Sequence, residues 1–229
     1  METTAVTLAA LMGMLGTGIG GMISPQKGRW QGMLGLATAG MMLTIAAVEL
    51  LPEAMELSGQ WVGFLCFALG VAFVVLLTAL LPRSEQGAGW LLLLSLAFHN
   101  LPEGMSIGAG FSAAPELGMK TALVVGLHVI PEGMALGSML RRQGRPRWQV
   151  ALLCALTGSP MALGALVGQQ MAVTALGVGG CLALAAGAMV FVVAEEVLPE
   201  GYDDGSRPRL PGLWVALGFV LALAGLILM

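Results

Sequence analysis

The chain has 229 residues, of which 57% are hydrophobic and only 10% are charged, and its mean hydropathy is +0.89. Such a composition excludes a soluble globular domain and predicts a protein built from membrane-crossing helices. The formal net charge is −3, and the basic residues form no patch beyond one short loop, so we expect no nucleic acid partner.

Eight apolar segments follow one another along the chain, each close to or above the length of about 20 residues that crosses a bilayer. Their approximate bounds are 4–23, 33–57, 61–81, 90–111, 118–140, 148–167, 172–198 and 213–229. The boundary between the sixth and the seventh, at 168–170, is the least marked. The pattern predicts an all-α polytopic membrane protein in which residues 1–229 form a single transmembrane domain.

The charges of the connecting loops predict how the helices are oriented. Of the ten lysine and arginine residues, nine lie in the odd-numbered loops, and the other side of the membrane holds only Lys120, near the start of the fifth segment. Positively charged loops stay in the cytoplasm. We therefore expect both termini on the extracytoplasmic side of a prokaryotic-type inner membrane, with the lipid bilayer as the surrounding partner.

Two copies of the phrase His-x-x-Pro-Glu-Gly are the most informative motif. The first is 99–104 in the fourth span, the second is 128–133 in the fifth, and their histidines are the only two in the chain. Ionisable groups at membrane depth are costly and mark a pathway or a binding site. The same residues could instead form ion pairs that only hold helices together, although a repeated pair is harder to explain in that way.

The spacing of this motif predicts a metal site. On a helix, residues i and i+4 lie on one face, so His99 can reach the same point as Glu103, and His128 the same point as Glu132. Two imidazoles and two carboxylates suit Zn²⁺, and also Fe, Mn, Co or Cd. The prolines inside the motif, Pro102 and Pro131, lack an amide hydrogen, so we expect each to kink its helix and free a carbonyl there.

Spans two and seven carry a related phrase, Glu-x-x-Pro-Glu, with glutamate in place of histidine. Four helices therefore share one pattern, which is what an inverted repeat of spans 1–3 and 6–8 around spans 4–5 produces. We interpret the acids of the outer two spans as accessory metal ligands or pathway residues, with solvation at the membrane interface as the alternative for some of them. These acids are Glu49, Glu53, Glu195, Glu196 and Glu200.

With these motifs the chain resembles the ZIP family of divalent-metal transporters. The resemblance rests on the two His-x-x-Pro-Glu-Gly phrases and on 50–54, Leu-Leu-Pro-Glu-Ala, in the second span. It implies an eight-helix ZIP bundle, as a homodimer, forming a single transport domain. That domain would carry Zn²⁺ or a related ion toward the cytoplasm by alternating access, with no catalytic residues and no cofactor beyond the transported metal. The primary metal ligands it implies are His99, Glu103, His128 and Glu132.

The sequence also departs from the ZIP pattern at a second metal position. Many members have an Asp or Asn where this chain has Val129, and a Glu where it has Ser159, so Asn100 alone remains of the additional ligands. Valine cannot coordinate a metal, and two dications close together repel strongly. We therefore expect one tightly bound ion in the site.

Two other classes of function are weighed against transport. A membrane metalloenzyme would need His-Glu-x-x-His, or Glu-x-x-His from two helices, and the chain has neither. A proton-coupled carrier of an organic solute would explain the acids inside the spans but not the paired imidazoles. Uptake of metal by the purified protein separates these alternatives.

Overall fold

The computed structural model describes residues 2–25, 29–80, 88–171, 174–203 and 210–228, and these are almost entirely helical, with no strand among them. The expected all-α membrane fold is confirmed. Spans 1, 3, 4 and 5 are single helices: Glu2–Ile23, Gln60–Leu80, Ala88–Ala113 and Pro115–Arg142. Span 8 is Pro211–Leu228.

The remaining three spans contain local irregularities. Span 2 consists of Arg29–Thr44, a π-helical turn at Ile45–Leu50, and Leu51–Ser58. Span 7 repeats this order with Ala175–Val192, a π-helical turn at Val193–Val197, and Leu198–Asp203. Span 6 is divided into Arg147–Gly158 and Pro160–Met171. The predicted boundary at 168–170 is therefore wrong, because Gly168 lies in a helix–helix contact against Met105 and the helix continues past it.

Six of the helical segments in the described residues are long and apolar enough to cross a membrane. The helix Ala88–Ala113, with 26 residues, exceeds the required length, and Pro211–Ile227 is a shorter apolar helix. Together they are compatible with the predicted eight spans. Span 3 has its large apolar side chains on the outside, with Leu65 62% exposed and Leu76 60% exposed, as expected of a helix that faces lipid.

The two π-helical turns support the predicted inverted repeat. Each ends just before a proline, Pro52 in span 2 and Pro199 in span 7. A proline clashes with the carbonyl four residues earlier, and a wider turn is a known way to accommodate an irregularity within a helix. Spans 4 and 5 instead continue as α-helices through Pro102 and Pro131, and the kinks expected at these two residues stay predictions.

The packing of the spans follows the same symmetry. Spans 1, 4, 5 and 6 pack on one another as one bundle, spans 2, 3, 7 and 8 as another, and span 4 meets span 7 as span 2 meets span 5. An apolar groove of about 340 Å³ lies between spans 2, 5 and 8, and one of about 410 Å³ lies between spans 7, 4 and 3. The inverted repeat pairs span 2 with span 7, span 3 with span 8 and span 4 with span 5. Replacing each span by its partner turns the lining of one groove into the lining of the other, with spans 4 and 5 at the centre.

The glycine that closes each His-x-x-Pro-Glu-Gly phrase lets a neighbouring helix approach the motif. A Cβ added to Gly104 would lie 2.0 Å from the carbonyl oxygen of Met161 in span 6. A Cβ added to Gly133 would lie 2.2 Å from the carbonyl oxygen of Thr17 in span 1. Small residues allow membrane helices to pack with their backbones in contact. Backbone packing against a neighbouring helix therefore holds each motif helix at the residue that follows its glutamate.

Candidate metal centre

A buried cluster of three side chains lies where spans 4 and 5 meet. Glu103, His128 and Glu132 are 1%, 0% and 2% exposed, and one ligand atom of each lies within 4.8 Å of the others. His128 Nε2 is 2.8 Å from Glu103 Oε1. Among the described residues this is the group of His, Cys, Asp and Glu side chains that could hold a metal ion.

Helical spacing and the contact between spans 4 and 5 bring these ligands together. His128 and Glu132 are one turn apart on span 5 and share a face, as the i, i+4 spacing predicts, and span 4 brings Glu103 to them. The other ring nitrogen of His128, Nδ1, lies 3.2 Å from the carbonyl oxygen of Val124. Because a carbonyl only accepts, Nδ1 carries the proton in this contact. Metal-binding histidines are commonly oriented in this way, with the remaining nitrogen directed at the metal.

The spacing of the cluster is close to that of a metal-bound site. Two ligand atoms bound to one Zn²⁺ in tetrahedral geometry, each about 2.1 Å from it, lie about 3.4 Å apart. The observed 2.8 Å between His128 Nε2 and Glu103 Oε1 is a hydrogen-bond distance. The pair would have to separate by about 0.6 Å to hold a metal ion between them.

Asn100 is fixed by the interruption of span 6. Its side chain is fully buried, and Nδ2 donates a hydrogen bond of 2.8 Å to the carbonyl oxygen of Thr157. Thr157 lies in the last turn of Arg147–Gly158, where carbonyl groups lack a donor from their own helix. Asn100 Oδ1 has no hydrogen-bond partner in the structure, so it is an oxygen that has not been satisfied by protein groups.

Most of the acids predicted as accessory ligands are not brought into the described cluster. Glu49 forms an ion pair with Lys120, Glu53 is half-buried and Glu195 is exposed. The side chains of His99, Glu196 and Glu200 lie outside the part of the chain that the structure describes.

The two departures from the ZIP pattern have clear structural surroundings. Val129 is 0% exposed and belongs to an apolar cluster with Ala5, Val125 and Met161. The hydroxyl of Ser159 donates a hydrogen bond of 2.8 Å to the carbonyl oxygen of Leu156 at the break in span 6. Neither residue supplies a carboxylate near the cluster.

Comparison with known proteins bears on this arrangement. The model of the ZIP zinc transporter family matches residues 82–226, well over half of the chain. The chain belongs to the ZIP family. This matched region contains both His-x-x-Pro-Glu-Gly phrases and the whole of the buried cluster.

Curated relatives of this ZIP protein are named as zinc transporters. Zinc transporter GufA of Myxococcus xanthus is 42% identical over 62% of this chain and 58% of its own length. Zinc transporter ZIPB of Bordetella bronchiseptica is 33% identical over 76% and 63%. Zinc transporter ZupT of Corynebacterium aurimucosum is 30% identical over 89% of both chains. The chain thus spans less than two thirds of the length of the first two.

Sequence reasoning missed three residues that shape the ZIP site. Gly104 and Gly133 were part of the motif, but their role in helix contact depends on which helix lies opposite, and a sequence pattern does not give that. Lys120 was expected near the start of the fifth span, and it lies in the second turn of Pro115–Arg142, but its pairing with Glu49 of span 2 was not predicted. Its isolation as the one basic residue on its side of the membrane was the available signal.

Proposed function

We propose that this ZIP protein carries a divalent metal ion across the membrane toward the cytoplasm by alternating access, with Zn²⁺ as the first candidate. The observation that carries the proposal is the buried cluster of Glu103, His128 and Glu132. An apolar interior accepts such groups when they are paired or bind a metal. Membership of the ZIP family and the zinc transporters among the relatives agree with this function.

The ligand set we propose consists of the cluster and His99, which is one turn before Glu103 on span 4. Two carboxylates compensate the double charge of the ion, and two imidazoles complete a tetrahedral site. The site is thereby electrically neutral when loaded, which reduces the cost of holding the ion at membrane depth.

We infer that the site holds one ion. An additional ion nearby would need further oxygen ligands to offset the repulsion between two dications, and Asn100 Oδ1 is the only such donor at the positions where ZIP proteins supply them. Val129 is part of an apolar contact, and Ser159 is a neutral hydroxyl.

The remaining acids are proposed as pathway residues. Glu53 lies on span 2, and Glu195, Glu196 and Glu200 lie on its repeat partner, span 7, so the repeat would place acids on both sides of the metal centre. From the loop charges we also propose that the protein lies in an inner membrane with both termini outside. From the family resemblance we propose that it is a homodimer.

Uptake by proteoliposomes tests the function. We expect the wild-type protein to accumulate ⁶⁵Zn²⁺, and Glu132→Gln to abolish most of this uptake, since it removes a ligand charge and keeps the shape. The matched control is Glu116→Gln, because Glu116 is an exposed glutamate on the same helix. Absence of uptake by the wild type, in proteoliposomes shown to be intact, would contradict the proposed function. Equal uptake by both variants would contradict the proposed site.

A further inference from the structure

One ion pair joins the two bundles. Lys120 Nζ of span 5 is 3.5 Å from Glu49 Oε1 of span 2. The Lys120 side chain is 47% exposed, whereas the Glu49 side chain is only 16% exposed. Glu49 belongs to the π-helical turn Ile45–Leu50 of span 2. Lys120 lies near the N-terminal end of the regular helix Pro115–Arg142.

The pair lies between one end of the bundle and the candidate metal centre. Lys120 is eight residues before His128 on the same helix, which corresponds to about 12 Å along the axis. An ion that enters at the N-terminal end of span 5 therefore meets Glu49 before it meets His128.

The carboxylate of Glu49 is only half satisfied. Its Oε1 faces the ammonium group, and its Oε2 is buried without a hydrogen-bond partner in the structure. A buried carboxylate oxygen that lacks a donor is costly. The arrangement offers one position for a cation, and the ammonium group of Lys120 occupies it.

We propose that Glu49 is an entry site for the divalent ion and that Lys120 is a tethered cation which excludes monovalent cations from it. This inference rests on the proposed function. Lys120 determines specificity at the mouth of the pathway and is not a ligand of the central site.

The difference in charge between the competing cations explains the selectivity. A tethered ammonium group is always present at high effective concentration, so Na⁺ or K⁺ with the same charge cannot displace it. A dication interacts with the carboxylate twice as strongly at the same distance. A partly exposed ion pair is weak, and the long flexible Lys120 side chain can move into solvent when the dication arrives.

The test compares zinc uptake in sodium chloride with uptake in N-methyl-D-glucamine chloride at equal ionic strength. Wild-type uptake should be the same in both salts. Lys120→Met keeps the length of the side chain and removes its charge, so its initial rate should be about two- to fivefold lower in sodium, the range that a weak ion pair can supply. Lys120→Arg keeps the charge and should behave as the wild type does.

The outcomes separate this inference from the proposed function. If the wild type does not transport zinc, the proposed function fails. If the wild type transports zinc and Lys120→Met is insensitive to sodium, the tethered-cation role is overturned and the pair only stabilises the fold. Should Lys120→Met not fold, Glu49→Gln decides: we expect a raised KM for zinc at an unchanged maximal rate, and an unchanged KM would overturn the entry site.

Discussion

The contact between Gly104 and span 6 gives the most direct structural prediction. The perturbation is Gly104→Ala, which adds one methyl group beside Glu103. That Cβ would lie 2.0 Å from the carbonyl oxygen of Met161, whereas a carbon and a carbonyl oxygen in contact are about 3.3 Å apart or more. The Met161 carbonyl belongs to the backbone and cannot rotate away as a flexible side chain can. Spans 4 and 6 must therefore separate by about 1.3 Å to restore the contact distance.

This displacement is large compared with the tolerance of a metal site. Binding constellations must be held to within about 0.5 Å, and Glu103 is the next residue along the shifted helix. Overpacking of this kind costs about 1–3 kcal/mol of stability. We expect the variant to remain folded with a lower melting temperature and to bind Zn²⁺ about 10- to 100-fold more weakly, the range seen when the support of a metal ligand is disturbed.

The assay is zinc titration of the purified protein by calorimetry, together with thermal unfolding. Gly225→Ala in span 8 is the matched control, because its added Cβ would meet its nearest neighbour, Leu127 Cδ1, at an ordinary 3.9 Å. The control should show wild-type affinity. Wild-type affinity in a folded Gly104→Ala protein would show that the contact with span 6 does not set the position of Glu103.

The remaining predictions concern orientation, stoichiometry and the role of Asn100. Cysteines introduced at Thr3 and Arg145 should react with an impermeant reagent from opposite sides of the membrane, and labelling of both from one side would contradict the eight-span orientation. Zinc titration should reach one ion per chain, and a second tight equivalent would show that the oxygen donors suffice for two. Asn100→Ala should reduce zinc uptake less than Glu103→Ala, because an amide contributes no charge to the ion, and a larger effect of Asn100→Ala would overturn that ranking.

The ligand motif could be predicted from sequence because its information is local. The i, i+4 spacing fixes that His128 and Glu132 share a helical face, and the repeat of the phrase in span 4 indicates a partner helix with Glu103. Hydrophobic length likewise predicts the number of spans without knowledge of their packing.

Other features depend on which helices meet, and the sequence does not specify that directly. Gly168 looks like part of a loop because it is followed by two glutamines, yet it packs against Met105 and the helix continues through it. The pairing of Glu49 with Lys120 joins residues that are far apart in sequence and belong to different bundles. The π-helical turns were also not anticipated, since Pro52 and Pro102 occur in the same local phrase but produce different helix geometry.

We propose above that the transported ion is bound between spans 4 and 5. Crystals of the protein grown with Zn²⁺, with diffraction data collected on both sides of the zinc absorption edge, test it most directly. We expect one anomalous peak about 2.0–2.2 Å from His128 Nε2 and from a carboxylate oxygen of each of Glu103 and Glu132. A zinc-saturated protein with no anomalous peak at these three side chains would contradict it.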